Sequence, residues 1–355
     1  MRILVHTPFY PNVGGIETVA ELLTREWQDS GAEVTVVSNL SCPSTLSRKF
    51  NFPVYYRPSP RQWLTLLRWC DVFVHMNLSL RVLWPRWFVR RPLVVVNHTF
   101  YYSDREGARD WRERLKLKML SSAVNIAVSH AVADRLPVPC TVIANPVDLS
   151  TFAPSGDSAR GHELVFLGRL VSDKGCALLL EALGRLRQRS MQPKLTIIGD
   201  GPERAALERL TRALDLTGQV EFFGWQSSEQ SAELLRRHAI LVIPSLAPES
   251  FGVSALEGAA CGCVVLGADA GGLPEAIGPT GITFRRGDVL DLTAKLVKLL
   301  DERTTWQSYR NAAAAHLALH QPNRVALRYL DVFAHAVARR RPAGIGTAEI
   351  AAAKR

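Results

Sequence analysis

The sequence predicts an α/β protein built from two consecutive doubly wound domains with parallel sheets, and three observations point there. The chain has 355 residues, more than one hydrophobic core comfortably serves, so two domains of about 150 to 200 residues are expected. Short runs rich in Val and Ile alternate with longer helical patterns from end to end, the order that builds βαβ units. That series restarts after a polar stretch near the middle of the chain.

In the first half the strand-like runs are Ile3 to His6, Val34 to Ser38, Val72 to His75, Leu93 to Asn97, Asn125 to Val128 and Thr141 to Ala144. Most are apolar throughout rather than alternating, the pattern of a strand covered by helices on both faces. The polar stretch from Ala153 to Gly161 has linker composition. After it the runs are Leu164 to Leu167, Leu195 to Ile198, Val220 to Phe223, Ile240 to Ile243, Val264 to Leu266 and Ile282 to Phe284. Helical patterns are plain over Cys176 to Arg189 and Pro202 to Leu214. The expected organisation is a first domain over residues 1–150, a linker over 151–162, a second domain over 163–335 and a frayed basic tail over 336–355.

Composition excludes several classes. An apolar share of 47% and a charged share of 21% belong to an ordinary globular protein. The opening Met1 to Pro8 is broken by His6 and is too short for a signal-peptide core. No stretch approaches the roughly 18 uninterrupted apolar residues of a membrane-spanning helix. The six cysteines carry no paired Cys-x-x-Cys spacing, as expected for reduced thiols in a cytoplasmic protein. Cys261 and Cys263 have no His or second Cys pair at ligand spacing, so no zinc site is expected. A nicotinamide-dependent oxidoreductase would need Gly-x-Gly-x-x-Gly after the first strand, and the chain lacks it.

Ligands of open parallel sheets bind beyond the carboxyl ends of the strands, and four of the loops there are unusual. The first strand leads through Gly14-Gly15 into a helix, where the backbone can approach a bulky anion, or where the pair simply makes a turn. The first strand of the second half is followed by Gly168-Arg169-Leu170-Val171-Ser172-Asp173-Lys174-Gly175. Arg169 and Lys174 can converge there on a diphosphate, Arg through its fork and Lys as a point charge, unless Arg169 merely contacts Asp173. The third loop runs from Pro244 to Val253. The amides of Phe251, Gly252 and Val253 open a helix there, Glu257 stands one turn in where it can accept ribose hydroxyls, and Glu249 either meets a sugar or favours the helix start. The fourth, His98-Thr99-Phe100-Tyr101, places an imidazole at a strand end, in a site or in a structural role.

Taken together, these residues resemble the large family of retaining glycosyltransferases known as family four, with the GT-B fold of two facing Rossmann-like domains. The resemblance runs through Gly14-Gly15 and Glu17, His98, Asn145-Pro146-Val147-Asp148, Gly168-Arg169-Leu170, Lys174-Gly175 and Gly199-Asp200-Gly201-Pro202-Glu203. It continues through Gly224, the pair Glu249 and Glu257, Gly262, Gly271-Gly272 and Glu275. Gly258-Ala259 and Cys263 depart from the family pattern without touching the expected chemistry. The resemblance implies a nucleotide-diphosphate sugar as donor and no cofactor or metal. Arg169, Lys174 and the 251–253 amides would hold the diphosphate, Glu249 the transferred sugar and Glu257 the ribose. Gly14 and Gly15 would allow close approach, and His98 would lie near the sugar and β-phosphate. It also implies transfer with retention, the leaving diphosphate taking the acceptor's proton. Other GT-B enzymes, a nucleotide-sugar epimerase or a sugar phosphorylase, would use a similar cleft.

The net charge of +10 is concentrated: residues 48–118 hold 15 Lys and Arg against 5 Asp and Glu, together with five of the eight tryptophans. The remainder is neutral. No nucleic-acid recognition motif accompanies the charge, so nucleic acid is not the expected partner. The run Arg81 to Arg91 mixes cations with aromatic rings, the composition of a bilayer interface rich in anionic lipid. The expected setting is therefore peripheral, on the inner membrane face, with a lipid-linked glycan acceptor in surface polysaccharide or glycolipid assembly. The alternatives are a core role for the tryptophans with a solvated basic face, or an anionic soluble acceptor.

Overall fold

The computed structural model describes residues 1–9, 14–41, 50–101, 111–154 and 162–339. In chain order these form β1 (Arg2–His6), α1 (Gly15–Asp29), β2 (Glu33–Ser38), β3 (Val54–Tyr56), α2 (Pro60–Trp69), β4 (Val72–Met76), β5 (Leu93–Asn97), α3 (Trp111–Ser121), β6 (Val124–Ala127), α4 (His130–Ala133) and β7 (Cys140–Val142). There follow β8 (His162–Leu167), α5 (Cys176–Arg187), β9 (Leu195–Ile198), α6 (Arg204–Ala213), β10 (Val220–Gly224), α7 (Ser228–Arg236), β11 (His238–Ile243), α8 (Val253–Ala260), β12 (Val264–Ala268), α9 (Leu273–Ile277), β13 (Gly281–Phe284), α10 (Val289–Asp301), α11 (Trp306–Ala318) and α12 (Pro322–Ala338).

Two compact units result, and their membership departs from the expected split near residue 150. The first gathers 1–127, 136–143 and the chain from Ala326 onward; the second holds 128–135 and 144–325. The last helix is the reason for the largest departure. Trp27 of α1 is fully buried, and its ring lies 5.7 Å from Tyr329 and 5.2 Å from Phe333 of α12, both also fully buried. Those aromatics bind the end of the chain to the first unit, where the sequence pattern placed residues up to 335 in the second. Helix α12 also runs three residues into the expected tail, whose remainder after Arg339 lies outside the described residues, as does the linker over 155–161.

The first unit's sheet has the order β3-β2-β1-β4-β5-β6-β7, and its strands pair in parallel. It has one strand more than expected, the half-buried edge strand β3. The order reverses between β1 and β4, the place in an open sheet where strands diverge to opposite helical layers. There His6 and His75 stand in register with ring centroids 4.9 Å apart, against Trp63 and Phe73. No ring nitrogen of either meets a partner among the described residues.

Burial pushes the His6 imidazole down to about 4. Burial, the facing His6 and then Arg86 hold His75 well below the ordinary histidine range. Both rings are therefore carried neutral, while the unfolded chain titrates near 6.5. A folded value below the unfolded one means that stability is whole above about pH 6.5 and is lost as pH falls toward 4. His6 alone should cost about 2 kcal/mol at pH 5, with His75 adding in the same direction. Thermal unfolding at pH 7 and pH 5 checks this. The acid loss should shrink in His75→Phe, and an unchanged loss in that variant would contradict the assignment.

The basic segment divides on inspection. Trp63 is core, and Trp69 and Trp84 pack against the same cluster, whereas Trp87 and Phe88 are 82% and 70% exposed and Trp111 is exposed. Arg91 donates from Nε to the Leu67 carbonyl at 2.9 Å and from a second nitrogen to that of Arg68, closing the end of α2. Arg86 is half-buried. Within the run 81–91 the exposed cations are thus Arg81 and Arg90, not all four arginines. Residues 48, 49 and 102–110 of the segment lie outside the described residues.

The second unit's sheet has the order β10-β9-β8-β11-β12-β13, again paired in parallel, with β8 and β11 flanking its reversal point. Strands β11 and β12 are buried along their whole length, as their unbroken apolar runs require.

Candidate functional site

At the carboxyl ends of β8 and β11, the two loops singled out in the sequence are joined. The backbone amides of Leu246 and Ala247 both donate to the Asp173 carbonyl, at 2.8 and 3.2 Å. This approach depends on Gly175, which turns at φ +67 to open α5. A Cβ there would sit 2.0 Å from the Pro244 carbonyl oxygen. Lys174 ends the short 3-10 turn before it.

The result is a charged contact between the loops. Lys174 Nζ donates to Glu249 Oε1 at 2.6 Å, and Ser245 Oγ donates to the same oxygen at 2.6 Å. Both partners of the ion pair keep some solvent exposure, so an arriving anion can compete for the ammonium. Glu249 is fixed from its backbone as well. Its carbonyl accepts from Gly272 at 2.7 Å, and Gly271, at φ +64, lies so close to it that a Cβ would be 2.1 Å away.

Arg169 stands at the end of β8 with an exposed side chain and no ion pair among the described residues; the contact with Asp173 is not formed. Phe251 is buried with its ring 5.7 Å from that of His320, which anchors the loop to the unit's core. Gly252 caps α8 at φ +109, where a Cβ would meet Leu273. Val253 is the first residue of α8. First-turn amides of a helix lack intrahelical acceptors and attract anions. Glu257 lies one turn into α8, and burial pushes its carboxyl up to about 7.

The remaining predicted residues belong to the first unit. Gly14 caps α1 in an extended conformation, with only the flexible Glu17 side chain close, and the space beside Gly15 is open. Local backbone geometry asks for glycine at neither position. His98 follows β5, buried, with its amide donating to Asn77 Oδ1 at 2.7 Å. Its Nε2 meets no partner among the described residues, and burial pushes the ring down to about 4. The structure thus joins Lys174 to Glu249, sets the Phe251 and Gly252 amides just ahead of α8, and sets Val253 and Glu257 on that helix; Gly14, Gly15 and His98 are described within their own unit.

Sequence reasoning assigned no role to Ser245, which lies in the third loop, or to Ser129. Ser129 Oγ donates to the Ser250 carbonyl at 2.7 Å from a segment more than a hundred residues upstream. Close by, Glu275 receives the amides of His130 and Ala131 at 3.0 and 3.2 Å, so its place is structural. Only the Pro-Ser step at a strand end could have flagged Ser245 beforehand; nothing local marks Ser129.

Comparison with known proteins shows the family. Residues 13–151 match the family described as Glycosyltransferase Family 4, and residues 152–316 match Glycosyl transferases group 1. The phosphatidylinositol N-acetylglucosaminyltransferase gpi3 subunit of Schizosaccharomyces pombe is 25% identical over 83% of this chain and 71% of its own length. A D-inositol 3-phosphate glycosyltransferase of Salinispora tropica is 31% identical over 59% of this chain, which spans 48% of that protein. Among solved structures, Anabaena HepE in complex with UDP and glucose superposes with a TM-score of 0.80 at 19% identity, over 94% of this chain and 99% of that one. With both halves matched and the two parallel-sheet units in place, the chain belongs to the family 4 glycosyltransferases of the GT-B fold.

Proposed function

We propose that the protein transfers a sugar from a nucleoside-diphosphate sugar to a lipid-linked glycan acceptor, with retention at the anomeric carbon. The observation that carries the donor reading is the meeting of Lys174 and Glu249 beside the start of α8. Such a set suits a ligand with anionic phosphates at one end and hydroxyls at the other. Breaking the bond between the sugar and the β-phosphate leaves negative charge on the diphosphate and positive charge on the ring. Arg169, Lys174 and the 251–253 amides then act chiefly on the transition state, in a reading that calls on no resident metal. The acceptor hydroxyl forms the new bond on the face the diphosphate leaves, and a phosphate oxygen takes its proton.

The lipid side rests on the first unit. Trp87 and Phe88 project from a short 3-10 turn between the exposed Arg81 and Arg90. Aromatic rings among cations suit an interface of anionic lipid, where each Lys or Arg adds roughly 1 kcal/mol. No described helix is long and apolar enough to cross a membrane, so attachment would be peripheral. The relative that acts on phosphatidylinositol is in keeping with a lipid acceptor.

A single assay addresses both parts: UDP-, GDP- and ADP-sugars are mixed with the protein and with phosphatidylglycerol vesicles carrying extracted glycolipid. Nucleoside diphosphate should be released only when acceptor is present, and the protein should sediment with the vesicles at low salt. Sedimentation should drop at high salt and in the double variant Arg81→Glu, Arg90→Glu. Equal recovery in the supernatant with and without anionic vesicles overturns the membrane part alone. No acceptor-dependent release from any donor overturns the transfer itself.

A further inference from the structure

In the first unit a cavity of about 480 Å³ opens at the amino ends of β6 and β7. This is the end of the sheet away from Gly14 and His98, which follow β1 and β5 at their carboxyl ends. No residue given a role in the donor reading lines it. Its size is that of a small-molecule site. Asn125 of β6 and Cys140 of β7 stand in register on its floor. From the end of α12 come Val332, His335, Ala336 and Arg339, whose spacing of three, four and seven residues puts them on one face of the helix.

The floor carries an acceptor that the protein leaves unsatisfied. Asn125 is 3% exposed, and its Nδ2 donates to the carbonyls of Leu120 at 2.8 Å and Ala123 at 3.2 Å. Those two bonds fix the amide, yet its Oδ1, shielded from solvent, meets no donor among the described residues. A buried acceptor without a donor is costly, and a ligand hydroxyl supplies one. On the helix side, His335 Nδ1 bonds the Asp331 carbonyl at 2.7 Å. That nitrogen therefore carries a proton, and Nε2 remains for a ligand. Arg339 is exposed and forms no ion pair among the described residues. No Asp or Glu lines the cavity, so nothing there repels an anion.

The geometry points to this cavity as a second ligand site, for a small polyol phosphate. The guanidinium of Arg339 suits the phosphate, and Asn125 Oδ1 and His335 Nε2 accept from hydroxyls. The apolar faces of Val332 and Ala336 keep water from both. A ligand so held ties the last turn of α12 to β6 and β7 and stabilises the first unit by mass action. The site stands apart from the donor reading and does not depend on it.

Titration calorimetry of the full chain with glycerol 3-phosphate, inorganic phosphate and glycerol tests the assignment. Wild type should bind glycerol 3-phosphate, bind inorganic phosphate at least about fivefold more weakly for want of a hydroxyl, and not bind glycerol measurably. Arg339→Glu changes an exposed side chain and should weaken glycerol 3-phosphate by about 10-fold or more, the effect of losing a charge-assisted bond. Asn125→Leu should bring glycerol 3-phosphate down to the level of inorganic phosphate; should that variant fail to fold, Arg339→Glu alone decides. The donor loops also attract phosphate, so Lys174→Ala is the control, and it should leave glycerol 3-phosphate within about twofold of wild type. Three results overturn the inference: no binding by wild type, equal affinity for inorganic phosphate, or a loss in Lys174→Ala without one in Arg339→Glu. A lipid headgroup carries the same phosphate and hydroxyls. Phosphatidylglycerol vesicles should not displace glycerol 3-phosphate, and displacement that disappears in Arg339→Glu would overturn the soluble source.

Discussion

Lys174→Ala is expected to lower turnover by about a hundredfold or more, the usual size for one preorganised charge acting on a transition state, with the thermal midpoint nearly unchanged. Glu249→Ala should lose as much by a different route. The 2.6 Å contact with Glu249 holds the Lys174 ammonium in place. On the proposed reading, a diphosphate entering the loops would compete for that cation and leave the carboxylate to Ser245 and to the sugar hydroxyls. Removing the lysine would then strip charge from the leaving group, and removing the glutamate would strip the hydroxyl contact and let the ammonium wander. Both side chains remain partly exposed, so their pairing adds little to folding. Steady-state rates and melting curves of the two variants decide the matter. Near-normal turnover in both would remove these residues from the chemistry.

Gly175→Ala is expected to damage fold and activity together. The residue needs a left-handed backbone, and the added methyl carbon would fall 2.0 Å from the Pro244 carbonyl oxygen, so the two loops cannot keep their contact. The left-handed conformation alone costs about 1 to 2 kcal/mol, and the clash adds to it. A fall of the midpoint by roughly 5 °C or more is expected for a unit of this size. Gly218→Ala is the control, since nothing lies within 4 Å of a Cβ there; it should shift stability by no more than about 0.5 kcal/mol. Equal midpoints in the two variants would show that the loops can separate freely.

Much of the architecture was legible because buried parallel strands announce themselves. Leu93–Asn97 and Leu195–Ile198 were read to the residue, and other strands differ at their ends by one or two positions. Strand β3 was missed because three residues between Pro53 and Pro58, all half-buried, carry no run to detect. In the site, the residues on the two loops of the second unit could be named from cations and glycines at strand ends. Ser129 and the Asp173 carbonyl could not, since one acts from afar and the other through its backbone. The tryptophan-rich segment misled in part: aromatic content does not reveal which ring is turned inward, and Trp63 and Trp87 read alike until Trp63 is seen packed against Phe73.

The route of the chain carries a consequence for its birth. Residues 144–325 of the second unit leave the ribosome in one stretch, needing only the earlier 128–135 to be complete. The first unit, begun earlier, waits for Tyr329 and Phe333 to cover Trp27. The half that is translated first is therefore the half that matures last, its α1 face unshielded while nearly two hundred further residues are added. A released chain ending at residue 325 should show the second unit protease-resistant and α1 still open to attack, so a premature stop there would strand the older domain, not the younger one.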